Sequence, residues 1–133
     1  MITLRRETDY AIHLLKELAK VKHGFLSLRD VAENTGISFL FLQKIARKLR
    51  VARLIKAGQG VSGGYCLNIP ASKITLKAII EATEKDSAIL PCLCAKNNVC
   101  PSNKMKQCSL KNNLGKMNKK IEVIFKNTTL NKI

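Results

Sequence analysis

Apolar residues return at three- and four-residue steps in five stretches of this chain, and each stretch reads as a helix with one buried face. In the first, residues 8–22, Ala11, Leu14, Leu15 and Leu18 share a face while Lys16, Glu17 and Lys20 fall on the other. Thr8-Asp9-Tyr10 opens it, where acidic Asp9 suits the positive end of the helix dipole, and Gly24 is expected to close it. Ser27 begins a short second helix. Ser27-Leu28-Arg29-Asp30 has the form of a capping box, Leu28, Val31 and Ala32 make the apolar stripe, and Gly36 supplies the left-handed stop. Ser38 caps a third helix. Its inner side is Phe41, Leu42, Ile45 and Leu49, and its outer side is Gln43, Lys44, Arg47, Lys48 and Arg50.

The period then shortens. Residues 53–57 and 64–68 alternate as strands do, and four glycines fall between positions 58 and 64, which predicts a β-hairpin with a flexible tip. A phosphate-binding glycine loop is excluded, because no helix and no Lys-Ser/Thr pair follow it. Cys66, in the second strand, is expected to pack as a small hydrophobe. A fourth helix, 74–83, carries Ile74, Leu76, Ile79 and Ile80. Residues 85–107 show neither period, and a connection that long is usually functional or disordered. In the last helix, about 109–126, Leu110, Leu114, Met117, Ile121 and Ile124 follow steps of 4, 3, 4 and 3. That is a heptad seam, and it favours packing on a second copy of the chain. Gly115 inside it costs roughly 1 kcal/mol of helix propensity, so this helix needs a partner surface.

Two short helices joined by a tight glycine turn, the second one basic and followed by a hairpin, predict a winged helix-turn-helix. The expected fold class is mainly α with a small β-hairpin wing and a long C-terminal dimerisation helix. The expected division is a DNA-binding head at 1–84, a cysteine-rich sensor segment at 85–108 and a dimerisation helix with tail at 109–133. The DNA-facing candidates are Ser38, Gln43, Lys44, Arg47, Lys48 and Arg50 on the helix, with Gln59 and Ser62 on the wing. Gln pairs bidentately with adenine and Arg with guanine.

Charge strengthens this reading. Against 9 Asp and Glu stand 24 Lys and Arg, a formal +15 over 133 residues, which calls for a polyanionic partner. Nucleic acid comes first and an anionic membrane surface second. No apolar run approaches the ~18 residues of a membrane span, and no targeting segment is visible, so a cytoplasmic protein is expected. His13 and His23 suggest no pairing with a nucleophile, and no enzyme is expected.

The cysteines add chemistry. Cys92, Cys94, Cys100 and Cys108, four of the five, fall within 17 residues. In a reducing compartment such clustering favours metal or redox chemistry over a disulfide scaffold. Thiolates suit iron–sulfur clusters, zinc and copper(I). The C-x-C, C-x5-C and C-x7-C spacings are looser than the paired knuckles of a zinc ribbon. Three readings stay open: a cluster-binding sensor segment, a metal-free thiol switch, and a zinc-dependent adaptor that binds protein.

Taken together, Thr8-Asp9-Tyr10-Ala11, Gly36-Ile37-Ser38 with Leu42, Leu49-Arg50 and Gly63-Gly64-Tyr65-Cys66-Leu67 make a pattern. Ile74-Thr75-Leu76, Cys100, Cys108-Ser109-Leu110 and Thr128-Thr129-Leu130 continue it. It resembles the Rrf-two family of winged helix-turn-helix repressors typified by IscR, NsrR and CymR, over essentially the whole chain. The resemblance implies a homodimer on a palindromic operator and, in many members, a 2Fe–2S or 4Fe–4S cluster on three cysteines of this segment. By position Cys100 and Cys108 match the second and third of these, and the first is Cys92 or Cys94. The family's histidine ligand is replaced by Lys111. Asp9 matches an acidic ligand that some relatives supply from the other subunit, and the spare cysteine is the alternative. Gln59 stands where many relatives carry a wing arginine, so that minor-groove contact does not transfer. Some members hold no cluster.

Overall fold

The computed structural model describes residues 3–60, 63–84, 86–94 and 108–133. Five helices and one hairpin follow in order: α1 (Arg6–Lys20), α2 (Leu28–Thr35), α3 (Phe39–Val51), β1 (Ile55–Gly58), β2 (Gly64–Leu67), α4 (Leu76–Glu84) and α5 (Ser109–Asn127). Short 3-10 turns lie at Ala71–Lys73, Pro91–Leu93 and Leu130–Lys132. This is the winged helix-turn-helix arrangement that the periodicities predict.

The caps explain most boundaries. The Ser27 hydroxyl accepts from the Asp30 N–H at 3.1 Å, and Gly36 ends α2 at φ 72°. The Ser38 hydroxyl accepts from the Phe41 N–H at 3.3 Å and starts α3. At the end of α3, Arg53 takes the left-handed conformation (φ 59°). The Leu54 N–H reaches the Leu49 carbonyl and the Arg53 N–H reaches that of Arg50, the paired bonds of a Schellman motif. This turn delays β1 to Ile55, two residues later than alternation predicts.

Helix α1 departs from expectation at both ends. It begins at Arg6, which puts Thr8 inside it, fully buried, with its hydroxyl 2.7 Å from that of Thr83. It closes at Val21 in extended conformation, and Gly24 sits beyond the helix at φ 89°. The β-branched Val21 leaves the helix three residues before glycine could end it.

In the hairpin Ile55 pairs with Leu67, Lys56 with Cys66 and Ala57 with Tyr65. Leu26 adds a bridge to Tyr65, with both backbone bonds at 2.9 Å, so the wing is anchored to the segment before α2. A Cβ on Gly64 would lie 2.4 Å from the Leu26 carbonyl oxygen, so only glycine permits this approach. Cys66 is only partly buried, since its side of the hairpin faces Lys56 rather than the core.

The core is aliphatic. Leu14, Leu15 and Leu18 of α1 meet Leu42, Ile45 and Leu49 of α3 and Ile79 of α4, all essentially inaccessible. Leu130, in the C-terminal tail, joins the same core. The tail arrives there by pairing, with the Leu130 N–H on the Ile74 carbonyl (2.8 Å) and the Leu76 N–H on that of Thr128 (2.7 Å). This pairing holds Ile74 and Thr75 extended, which is why α4 starts at Leu76 rather than at 74. Among the described residues no helix is long and apolar enough to cross a membrane.

Candidate nucleic-acid interface and cysteine segment

Burial of Leu42, Ile45, Ala46 and Leu49 pins α3 to the core and fixes which side chains face out. Gln43, Lys44, Arg47 and Arg50 are exposed, and with Tyr65 of β2 they line an open groove of about 480 Å³. Ser38 is exposed, but its hydroxyl is occupied by the cap. Gln59 is exposed on the wing, whose turn is closed by the Gly63 N–H on the Gly60 carbonyl at 3.0 Å. Ser62 lies outside the described residues.

Two of the expected lysines have partners inside the molecule. Lys44 Nζ donates to Glu7 at 2.6 Å, and Lys48 Nζ donates to the other Glu7 oxygen and, at 3.0 Å, to the Thr83 carbonyl. Lys48 is thereby half-buried, whereas Arg47 and Arg50 are exposed. Glu7 stands next to Thr8, whose hydroxyl also reaches Glu84, and Arg5 binds Glu84 in turn. The opening turn of α1 thus ties the recognition helix to the end of α4. No local signal marks Glu7 for this role, because its partners lie 37 and 41 residues away.

Hydrogen bonds from Lys44 and then Lys48 hold the Glu7 carboxyl below the usual range. A lowered folded-state pKa contributes stability that is fully present above the ordinary glutamate value of about 4.3. That contribution is lost as pH falls through the lowered value. Replacing Glu7 by Gln is expected to cost about 1 kcal/mol in urea denaturation at pH 7, solvent screening of these partly exposed charges included. The same substitution releases Lys44, so salt titration of DNA binding should steepen by about one unit of slope. An unchanged slope would show that Lys44 is not held back.

Cys92, Cys94 and Cys108 flank residues 95–107, and Cys100 lies outside the described residues. Cys92 sits in the Pro91–Leu93 turn, with Cys94 directly after it, and both are partly buried. Leu93 packs over Gly115 of α5, which gives that glycine a partner surface. Burial and then a hydrogen bond to Asp86 push the Cys94 thiol up, and its sulfur lies 3.7 Å from the Leu90 carbonyl oxygen. Cys108 is the N-cap of α5, and its sulfur accepts from the Lys111 N–H at 3.4 Å. Cys66, Cys92, Cys94 and Cys108 are all free thiols. Asp9 is exposed on the opening turn of α1, 3.5 Å from His13 Nε2. Among the described residues no three ligand-type side chains converge.

Helix α5 divides its seam between two surfaces. Ile121 and Phe125 face a cleft of about 260 Å³ shared with Leu4, Ile80 and residues 86–89. Asn118, which pattern reading passes over, is buried beside them. Its side chain accepts from the Ile89 N–H at 2.9 Å and donates to Glu122 at 2.8 Å, clasping the segment after α4. Leu110, Met117 and Ile124, spaced by seven, are 59, 52 and 61% exposed.

Comparison with known proteins agrees with this architecture. The family model for Rrf2, iron-dependent transcriptional regulator, matches residues 4–133. Protein aau3 of Rhizobium meliloti is 35% identical over 98 residues, 74% of this chain and 64% of that protein. The chain thus spans roughly six-tenths of the first curated relatives it matches, 64% of one and 59% of another. Among solved structures, CymR, the global cysteine regulator of B. subtilis, superposes with a TM-score of 0.78 at 23% identity, covering 99% of this chain and 95% of that one. IscR of T. potens gives 0.74 at 25% identity, covering 98% and 85%. With a family match over nearly its whole length and the winged-helix fold to go with it, this chain belongs to the Rrf2 family of transcriptional regulators.

Proposed function

We propose that the protein is a homodimeric, DNA-binding transcriptional regulator whose operator affinity is switched by an iron–sulfur cluster on its cysteine segment. The observation that carries DNA binding is the outer face of α3, where Gln43, Lys44, Arg47 and Arg50 stand exposed in one row beside the wing. Such a row fits a major groove, with Gln59 and Ser62 of the wing near the neighbouring backbone. Residues 1–84 read the DNA, 85–108 sense and 109–133 pair the subunits, so two recognition helices meet the two halves of a palindrome.

Support for the cluster is chemical. The family model is described as iron-dependent, and the segment offers soft sulfur donors. Cys108 at a helix N-terminus stands where an anionic group is favoured. Cys100, Cys108 and either Cys92 or Cys94 would hold the cluster, with Asp9 of the other subunit or the spare cysteine completing it. When bound, such a group supplies redox sensitivity. The chain's own part is to connect that segment, through the end of α4 and Glu7, to Lys44 and Lys48 of the recognition helix. A metal-free thiol switch is the second reading, favoured by the free thiol of Cys108 at the N-terminus of α5, where the helix dipole favours a thiolate.

Salt titration of operator binding tests the DNA reading. Neutralising phosphates releases counterions, so affinity should fall by about a thousandfold between roughly 50 and 200 mM salt. Binding that stays flat over this range removes the proposal.

A further inference from the structure

We propose that Leu40 is a base-reading residue, selecting thymine in each half-site through the C5 methyl group. The inference rests on the DNA-binding reading above and names a specificity determinant for it. Leu40 is the second residue of α3 and is 77% exposed. By helix geometry it lies three, four and seven residues before Gln43, Lys44 and Arg47, so it heads the same outward row. N-terminal residues of a recognition helix are those that reach base edges.

The neighbours of Leu40 are engaged within the fold, whereas Leu40 stands exposed. The Phe39 ring lies under Arg29, 6.0 Å from its guanidinium carbon, and the Phe41 ring packs edge-on to Tyr10 at 5.3 Å. A leucine held in water is expected to gain by burial, and the question is what covers it. The surrounding charges answer it. Lys44, Arg47 and Arg50 on the same outward side would repel a second copy of this face and attract a polyanion. The major-groove edges of DNA offer one apolar group, the thymine methyl.

The test begins by selecting bound sequences from a random duplex pool, using the full chain and its Leu40→Ala variant. Exposure of Leu40 means the variant should fold and assemble as the parent does. The parent should select a thymine near the centre of each half-site, and the variant should lose that preference. Deoxyuridine, which lacks only the methyl, is then placed at that thymine. It should weaken the parent about fourfold per half-site and leave the variant unaffected, a loss on the scale of one buried methyl. If deoxyuridine has no effect on the parent at any selected thymine, or weakens the variant equally, Leu40 does not read the methyl. If Leu40→Ala changes the oligomeric state instead, Leu40 is a subunit contact and the proposal fails. Should the parent select no sequence at all, the DNA-binding reading itself falls, a result distinct from the others.

Discussion

Replacing Met117 and Ile124 together by Asp is expected to convert the proposed dimer into a monomer in sedimentation and to lower operator affinity about a hundredfold or more. These side chains stand 52 and 61% exposed on α5, in line with Leu110, and nothing in the chain covers them among the described residues. Pairing two such stripes would remove apolar surface from water on both helices, and two carboxylates per helix would oppose it. Loss of the dimer converts binding of the second half-site from an intramolecular step to an independent one, which is where the large factor arises. Ile121 belongs to the same heptad pattern but makes a poorer test. It faces the cleft with Leu4, Ile80 and Phe125, so an Asp there would damage the fold of each subunit as well. Circular dichroism should be unchanged in the Met117/Ile124 variant. A variant that sediments as a dimer would show that the subunits pair through another surface.

Cys100→Ala and Cys108→Ala should each abolish bound iron, acid-labile sulfide and visible absorption after anaerobic reconstitution, whereas Cys66→Ala should leave all three intact. Cys66 lies on β2 opposite Lys56, away from the cysteine segment in the chain. Cys108 caps α5, and its loss would remove both a soft donor and the bond it accepts from the Lys111 N–H. Single replacement of Cys92 and of Cys94 separates the two ligand sets: loss of iron from one variant alone names the third cysteine and leaves the fourth place to Asp9, whereas loss from both makes the two cysteines ligands together. If the Cys100 and Cys108 variants keep full iron and colour, the cluster is held elsewhere. If the parent protein takes up neither iron nor sulfide, the thiol switch becomes the better reading. Mass spectrometry after oxidant treatment should then find a disulfide among Cys92, Cys94, Cys100 and Cys108.

Much of this molecule is decided within one or two turns of chain. Ser27, Gly36 and Ser38 act on backbone groups within four residues of themselves, so their caps follow from local chemistry and place α2 and α3 correctly. The inward rows of α1 and α3 follow from the 3.6-residue period in the same way, and with them the outward row of Gln43, Lys44, Arg47 and Arg50. The glycines of the wing announce a hairpin because few other residues permit its turn. Where a neighbour from far along the chain competes, local signals fail. Thr8 would suit a helix start, yet it is buried inside α1 because Thr83, 75 residues away, offers its hydroxyl a partner. Ile74 and Thr75 carry helix-like spacing, yet they stay extended because the tail at Thr128–Leu130 pairs with them. Lys44 and Lys48 look free in the sequence, and only the packed arrangement of α1 on α3 brings Glu7 to them. The heptad pattern of α5 states which residues are apolar but not what each one meets. Ile121 turns to the body of the chain and Leu110, Met117 and Ile124 turn away because α4 and the segment after it occupy one side of the helix. Periodicity and caps are properties of neighbouring residues, whereas ion pairs across helices and the choice of packing face exist only once the chain has closed on itself.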